Sequence, residues 1–194
     1  MDSVIFMAES KHHRYIPGKK KYVFIKSSFI YPEAFKAEKT RLSKSINGVS
    51  FAIEHFGSTA VPNLGGKNIL DILIGLKNGL KNRNRQEMKS RLEGLGYDFI
   101  PDAGSPRRFF FIRDIHFKGK PIRIHLHLVK FSGTEWNQKI AFRDYLRKHK
   151  ELVSEYEKVK KDAVKMANGD KTIYLKVKSG FINRVTRDAL KSRK

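Results

Sequence analysis

Residues Glu54 to Leu76 read E-H-F-G-S-T-A-V-P-N-L-G-G-K-N-I-L-D-I-L-I-G-L, and this stretch decides the fold. It closes one strand at Phe56, breaks at Gly57-Ser58, and turns through proline and glycine. It then re-enters the core as an apolar strand from Ile69 to Leu76. Side chains alternate between the faces of a strand, so Ile69, Asp71 and Leu73 share one face and Leu70, Ile72 and Ile74 the other. Asp71 is the anomaly. A carboxylate inside an apolar run is costly unless a partner or a cation meets it.

Upstream, Tyr22 to Phe29 reads as a strand. Tyr31-Pro32 opens a helix that runs to about Ile46, because proline suits a first helical turn. Asn47-Gly48 stops it, Val49 to Phe56 is a strand, and Thr59 to Leu64 is a short helical turn. Downstream, Gly79 to Arg85 is a basic loop, Gln86 to Leu95 a helix ended by Gly96, and Tyr97 to Ile100 a short strand. A turn-rich loop spans Pro101 to Pro106. Strands Arg107 to Asp114 and Ile122 to Phe131 follow, joined by a hairpin-type connection around Gly119. In the second of these, Ile122, Ile124, Leu126 and Leu128 face one way; Arg123, His125 and His127 face the other.

The remainder reads as helices. One begins near Glu135 with Thr134 as its cap. The next carries Leu152, Tyr156, Val159 and Ala163 on one stripe. Asn168-Gly169 breaks the pattern before a last helix from Ile173 to Leu190. The order predicts an α+β fold: a mixed β-sheet with flanking helices and a C-terminal helical portion. We expect one domain over residues 22–183, with its sheet part ending near 131 and its helical part starting near 135. A basic irregular segment, 1–21, precedes it and a basic tail, 184–194, follows.

Lys and Arg number 41 against 19 Asp and Glu, a net charge of +22, which favours polyanionic partners: nucleotides, RNA or another polyanion. The absence of cysteine excludes disulfides, thiolate metal sites and a cysteine nucleophile, and fits a cytoplasmic protein. No apolar run reaches membrane-spanning length and no signal peptide is expected, so a membrane role is not.

A strand that ends in Gly-Ser before a helical turn presents backbone N–H groups and a hydroxyl suited to phosphate oxygens. An acid on the next strand can hold a divalent ion against a triphosphate. Gly57, Ser58 and Asp71 meet that description, with Thr59 and Lys67 beside them; an ion pair between Asp71 and Lys67 is the simpler alternative. His125 and His127 are candidates for metal ligation, phosphate contact or acid–base work, together with Arg123 on their face. His55 is a supporting residue or a buried structural one. Arg143 either reaches a substrate phosphate or pairs within the helices. Lys178 lies four residues from Tyr174, on one helical face, and either contacts substrate or packs.

The run I-E-H-F-G-S-T-A-V-P-N-L-G-G-K-N-I-L-D-I resembles the signature of the GrpB family, I-E-H-I-G-S-T-(A/S)-V-P-G-L-x-x-K-P-I-I-D-I. The likeness continues in Y-P-E-A-F-K-A-E-K-T-R-L, H-L-H-L-V, A-F-R-D-Y-L-R-K-H and Y-L-K-V-K-S-G-F-I, over roughly residues 22–183. Asn63, Asn68 and Phe56 depart from the pattern. The resemblance implies the polymerase-β-like nucleotidyltransferase fold, with a site between Gly57-Ser58, Asp71 and the His125–His127 strand. It also implies a second acid two residues after Asp71, where this chain has Leu73. Catalysis by Asp71, His125 and His127, with a metal (Mg or Mn, or Zn) on Asp71 and His127, is therefore one expectation. The alternative is a module that binds nucleotide or RNA without turning it over.

Overall fold

The computed structural model describes residues 24–25, 28–46, 48–67, 69–79, 82–103, 105 and 107–193. The expected N-terminal segment and most of the strand at Tyr22 to Phe29 lie outside them. Within that strand, Ile25 makes one antiparallel bridge to Gly66, and Ser28 and Phe29 are not strand.

Among the described residues, five strands form one mixed sheet. They are β1 (Phe51–Phe56), β2 (Ile69–Leu76), β3 (Asp98–Phe99), β4 (Arg108–Phe117) and β5 (Lys120–Lys130). The spatial order is β1-β2-β5-β4-β3, and only the β2–β5 pair is parallel. Helices α1 (Ile30–Ser45) and α2 (Asn82–Gly94) cover one face. Helices α3 (Thr134–Lys148), α4 (Lys150–Ala167) and α5 (Lys171–Lys191) form the other layer. The α+β architecture follows from the alternation. Leu70, Ile72 and Ile74 of β2 join Ile122, Ile124, Leu126 and Leu128 of β5 in a core with Leu42, Met88 and Leu92 of the two helices. Each such side chain contributes about 1.5–3 kcal/mol by leaving water.

On the opposite face Phe56, Leu73 and Val129 pack on Trp136. A Cβ on Gly75 would stand 2.6 Å from the Trp136 ring, so a side chain there would push α3 off the sheet. Behind α3, Tyr156 of α4 stacks on Phe181 of α5 with ring centroids 4.6 Å apart.

Several boundaries differ from the sequence reading. Helix α2 starts at Asn82, inside the expected basic loop. Gly133, rather than Thr134, occupies the α3 N-cap, without a side-chain hydrogen bond. Helix α5 begins two residues early because the Asp170 carboxylate caps it, accepting from the N–H of Thr172 and Ile173. It runs to Lys191, one residue past the expected Leu190, with Val185 and Ala189 buried. Among the described residues no helix is long and apolar enough to cross a membrane.

Candidate functional site

Strand β1 ends where Gly57 turns to φ 74°, ψ −168°, a backbone region reserved for glycine. There is a second reason for glycine. A Cβ at this position would lie 2.1 Å from Asp71 Oδ2, because the carboxylate rests directly against the turn. Ser58–Ala60 then form one 3₁₀ turn. The Thr59 hydroxyl donates to the Ile69 carbonyl at 3.1 Å, using its only proton. Its 3.0 Å contact with His55 Nε2 therefore requires the imidazole to donate through Nε2. His55 lies on the other sheet face, stacked on Phe35. Burial, then Arg147 and Arg143, push its pKa down to about 3, so it stays neutral. Thr59, expected to bind phosphate, instead ties the turn to β2, with His55 as its support.

Register builds two rows across the sheet. Phe56, Asp71, His125 and Ile112 form one; Glu54, Leu73, His127 and Phe110 form the next. Asp71 accepts no hydrogen bond from a described residue. Burial pushes its pKa up to about 7, against the pull of Lys139, Lys178 and Lys67. Lys139 comes from α3 and Lys178 from α5, and burial pushes both of their pKa values down. Lys67 and Lys178 lie over the Tyr174 ring, at 4.3 and 4.5 Å from its centroid, while Lys139 lies over Phe56 at 4.9 Å. His125 Nδ1 is 3.9 Å from Asp71 Oδ1, beyond hydrogen-bond length. Burial, then Arg123 and Lys67, hold the His125 pKa near 4, so the pair is not an ion pair at neutral pH.

Three expected site residues are engaged elsewhere. Arg123 forks onto Asp114 with bonds of 2.8 and 2.7 Å, at the open end of the strand. Arg143 is buried; its guanidinium donates to Glu54, the His55 carbonyl and Asp144. These bonds fasten α3 to the end of β1, which makes Arg143 a structural clamp. His127 is in register with Leu73, and the imidazole opposite Asp71 is His125. The His127 ring sits edge-on to Phe56 and Phe110, with Nδ1 buried and unpartnered among the described residues. Burial holds it neutral.

No three His, Cys, Asp or Glu side chains converge as a metal cage among the described residues. The donor set does not fit a cation held by the protein alone, because one carboxylate stands among three lysines whose charge opposes a second cation.

The sequence reading missed two lysines. Lys139 is one; Lys160 on α4 is the other. It is 2 % exposed, and its ammonium donates to the Gly65 carbonyl and to Ser58 Oγ at 3.3 Å. The signal was available, since Tyr156, Lys160, Ala163 and Ala167 recur at helical spacing and all four are buried.

A sequence model described as GrpB protein matches residues 23–188. The chain belongs to the GrpB family. It is 28% identical over 168 residues to the glutamate-rich protein GrpB of Alkalihalophilus pseudofirmus, covering 87% of this chain and 95% of that one. A UPF0157 protein of Pseudomonas aeruginosa is 30% identical over 160 residues, 82% of this chain and 64% of its own length. The UPF0157 protein YqkA of Bacillus subtilis is 27% identical over 176 residues, 91% of this chain, which spans 49% of that protein. Among solved structures, the conserved protein GrpB from Enterococcus faecalis superposes with a TM-score of 0.74 at 26% identity, covering 88% of this chain and 99% of that chain. The mixed sheet with helices on both sides is thus a GrpB architecture.

Proposed function

We propose that this GrpB domain binds a phosphorylated ligand, a nucleotide, at the Gly57–Asp71 corner and transfers a nucleotidyl group to a hydroxyl acceptor. One observation carries the reading: a carboxylate without a hydrogen-bond donor among the described residues, laid against a glycine turn and under the charge of Lys67, Lys139 and Lys178. Structural carboxylates are paired, and perturbed groups that share a corner are a mark of functional sites. The three ammonium groups suit the oxygens of a polyphosphate. A carboxyl with a pKa of about 7 suits a general base at neutral pH. In the proposed step Asp71 takes the proton of the acceptor hydroxyl. The acceptor oxygen then bonds to the α-phosphorus as the bond to the departing pyrophosphate breaks. The lysines take up the charge of that leaving group, the part that a metal pair plays where several carboxylates are present.

A second reading has its own support. Leu73 is fully buried against Phe56, Val129 and Trp136, so the place of a second acid is part of the core. That favours binding of nucleotide or RNA without turnover. Calorimetry with nucleoside triphosphates, followed by labelling of candidate acceptors, separates the two. Saturable binding with Asp71-dependent labelling supports transfer; saturable binding without labelling supports the module. No binding by the wild-type chain sinks both.

A further inference from the structure

Lys160 is the most deeply buried lysine of this layer, and no carboxylate of a described residue lies within ion-pair distance of it. Glu157, one turn earlier on α4, points at the same loop but accepts from the Gly65 N–H at 2.7 Å. The two side chains grip one residue, Gly65, from both sides, Glu157 on its N–H and Lys160 on its C=O. Glycine is required there, because a Cβ on Gly65 would stand 2.5 Å from the Phe24 ring and 2.8 Å from Glu157 Oε1. The remaining reach of Lys160 is to Ser58 Oγ, which is half-buried and next to the Gly57–Asp71 contact.

An ammonium group donates and cannot accept. While Lys160 is charged, it occupies a lone pair of Ser58 Oγ, and the serine proton is directed to a third group. A neutral amine can accept that proton instead, turning the Ser58 lone pairs outward. We propose that Lys160 is a positioning residue that makes Ser58 a hydrogen-bond donor toward a bound phosphate. This rests on the anion site proposed above and adds the device that couples it to a proton. The charged groups facing Lys160 are Glu157 and Lys161 on its own helix and Lys178 on α5; the rings of Tyr156 and Phe24 lie 4.8 and 5.6 Å from Nζ. Burial outweighs Glu157 and leaves the Lys160 pKa at about 7, within reach of a nearby anion. A phosphate on Ser58 draws the proton back, so binding takes up protons above neutrality.

The test is calorimetric titration of inorganic tripolyphosphate into the full chain carrying Asp71→Asn, which removes the titrating carboxyl of the same corner. It is run at about pH 7.5 in two buffers of different ionisation enthalpy. The expected result is net proton uptake on binding. Adding Lys160→Met weakens binding about tenfold and abolishes the uptake; Lys160→Arg restores affinity but not uptake, because a guanidinium does not titrate. Ser58→Ala, which leaves the buried lysine in place, also lowers the uptake. Unchanged affinity and uptake in Lys160→Met overturn the inference while leaving the anion site standing. If Lys160→Met does not fold, Ser58→Ala and Lys160→Arg decide: uptake unchanged in both overturns it. Failure of the wild-type chain to bind tripolyphosphate overturns the site and this inference together.

Discussion

On the α1–α2 side of the sheet, Glu38 accepts hydrogen bonds from Arg41, Arg113 and the Tyr97 hydroxyl, the last at 2.6 Å. On the α3–α5 side, Asp71 accepts none from a described residue. Burial alone raises both carboxyls, yet the Arg41 and Tyr97 bonds bring the Glu38 pKa below its ordinary value, while Asp71 rises to about 7. Burial raises both, and the donors within reach decide which carboxyl is pulled back down. One face satisfies its charge internally and gains stability. The other sets an acid that accepts no hydrogen bond from a described residue beside lysines drawn from separate segments, a charge arrangement that a polyanionic ligand complements.

Breaking the paired side should have the largest effect. Glu38→Ala leaves two arginines and a buried tyrosine without their acceptor, and should lower the unfolding free energy by about 3–5 kcal/mol in urea titration. Ligand affinity should not change. Glu38 is held below its unfolded pKa, so its contribution is present above about pH 4 and fades as pH falls through its folded value. A mutant as stable as the wild type at neutral pH would refute the contrast.

Gly57→Ala comes next. It places a methyl where Asp71 Oδ2 now lies and forces alanine into a glycine region, at an expected cost of about 1–3 kcal/mol. Nucleotide affinity should fall as well; a mutant that binds normally would show that the turn and the acid do not form one site.

Asp71→Asn should be stabilising, by about 1–2 kcal/mol for a side chain still partly open to solvent. The sign follows from a raised pKa. The folded state binds the Asp71 proton more tightly, so the penalty is absent below about pH 4 and complete above about pH 7. Thermal unfolding of both proteins at the two ends of that window checks it. Destabilisation at high pH would mean that the lysines pair with Asp71 as firmly as Arg41 pairs with Glu38.

The smallest effect belongs to Arg123→Gln. Its ion pair with Asp114 is exposed, so stability should move by less than about 0.5 kcal/mol and nucleotide affinity should stay level. A clear loss of affinity would return Arg123 to the site.

Local pattern carried much of the site. The strand Ile69–Leu76 was legible to the residue because apolar alternation and flanking glycines bound it on both sides. Period-two geometry placed Asp71 on one face of β2, and His125 and His127 on one face of β5, before any fold was known. Resemblance to GrpB signatures joined those two strands. What was not legible came from pairing and packing. Arg123 read as a site cation and Arg143 as either a phosphate contact or a helix pairing, since nothing local announces Asp114 or Glu54 as partners. Lys139 and Lys160 drew no reading at all, two helix lysines among many in a lysine-rich chain.

By itself, then, the amino-acid order determined the strands, the glycine turn, the lone acid and the basic helices. These are properties of residues close in sequence, governed by backbone sterics and side-chain periodicity. Only the tertiary structure decided which charges pair with one another and which gather at one corner. It brought Lys139, Lys160 and Lys178 from three helices to Ser58 and Asp71, and turned Arg123 and Arg143 elsewhere. Desolvation depends on what lies above a side chain in space, and that is set by packing between segments far apart in the chain.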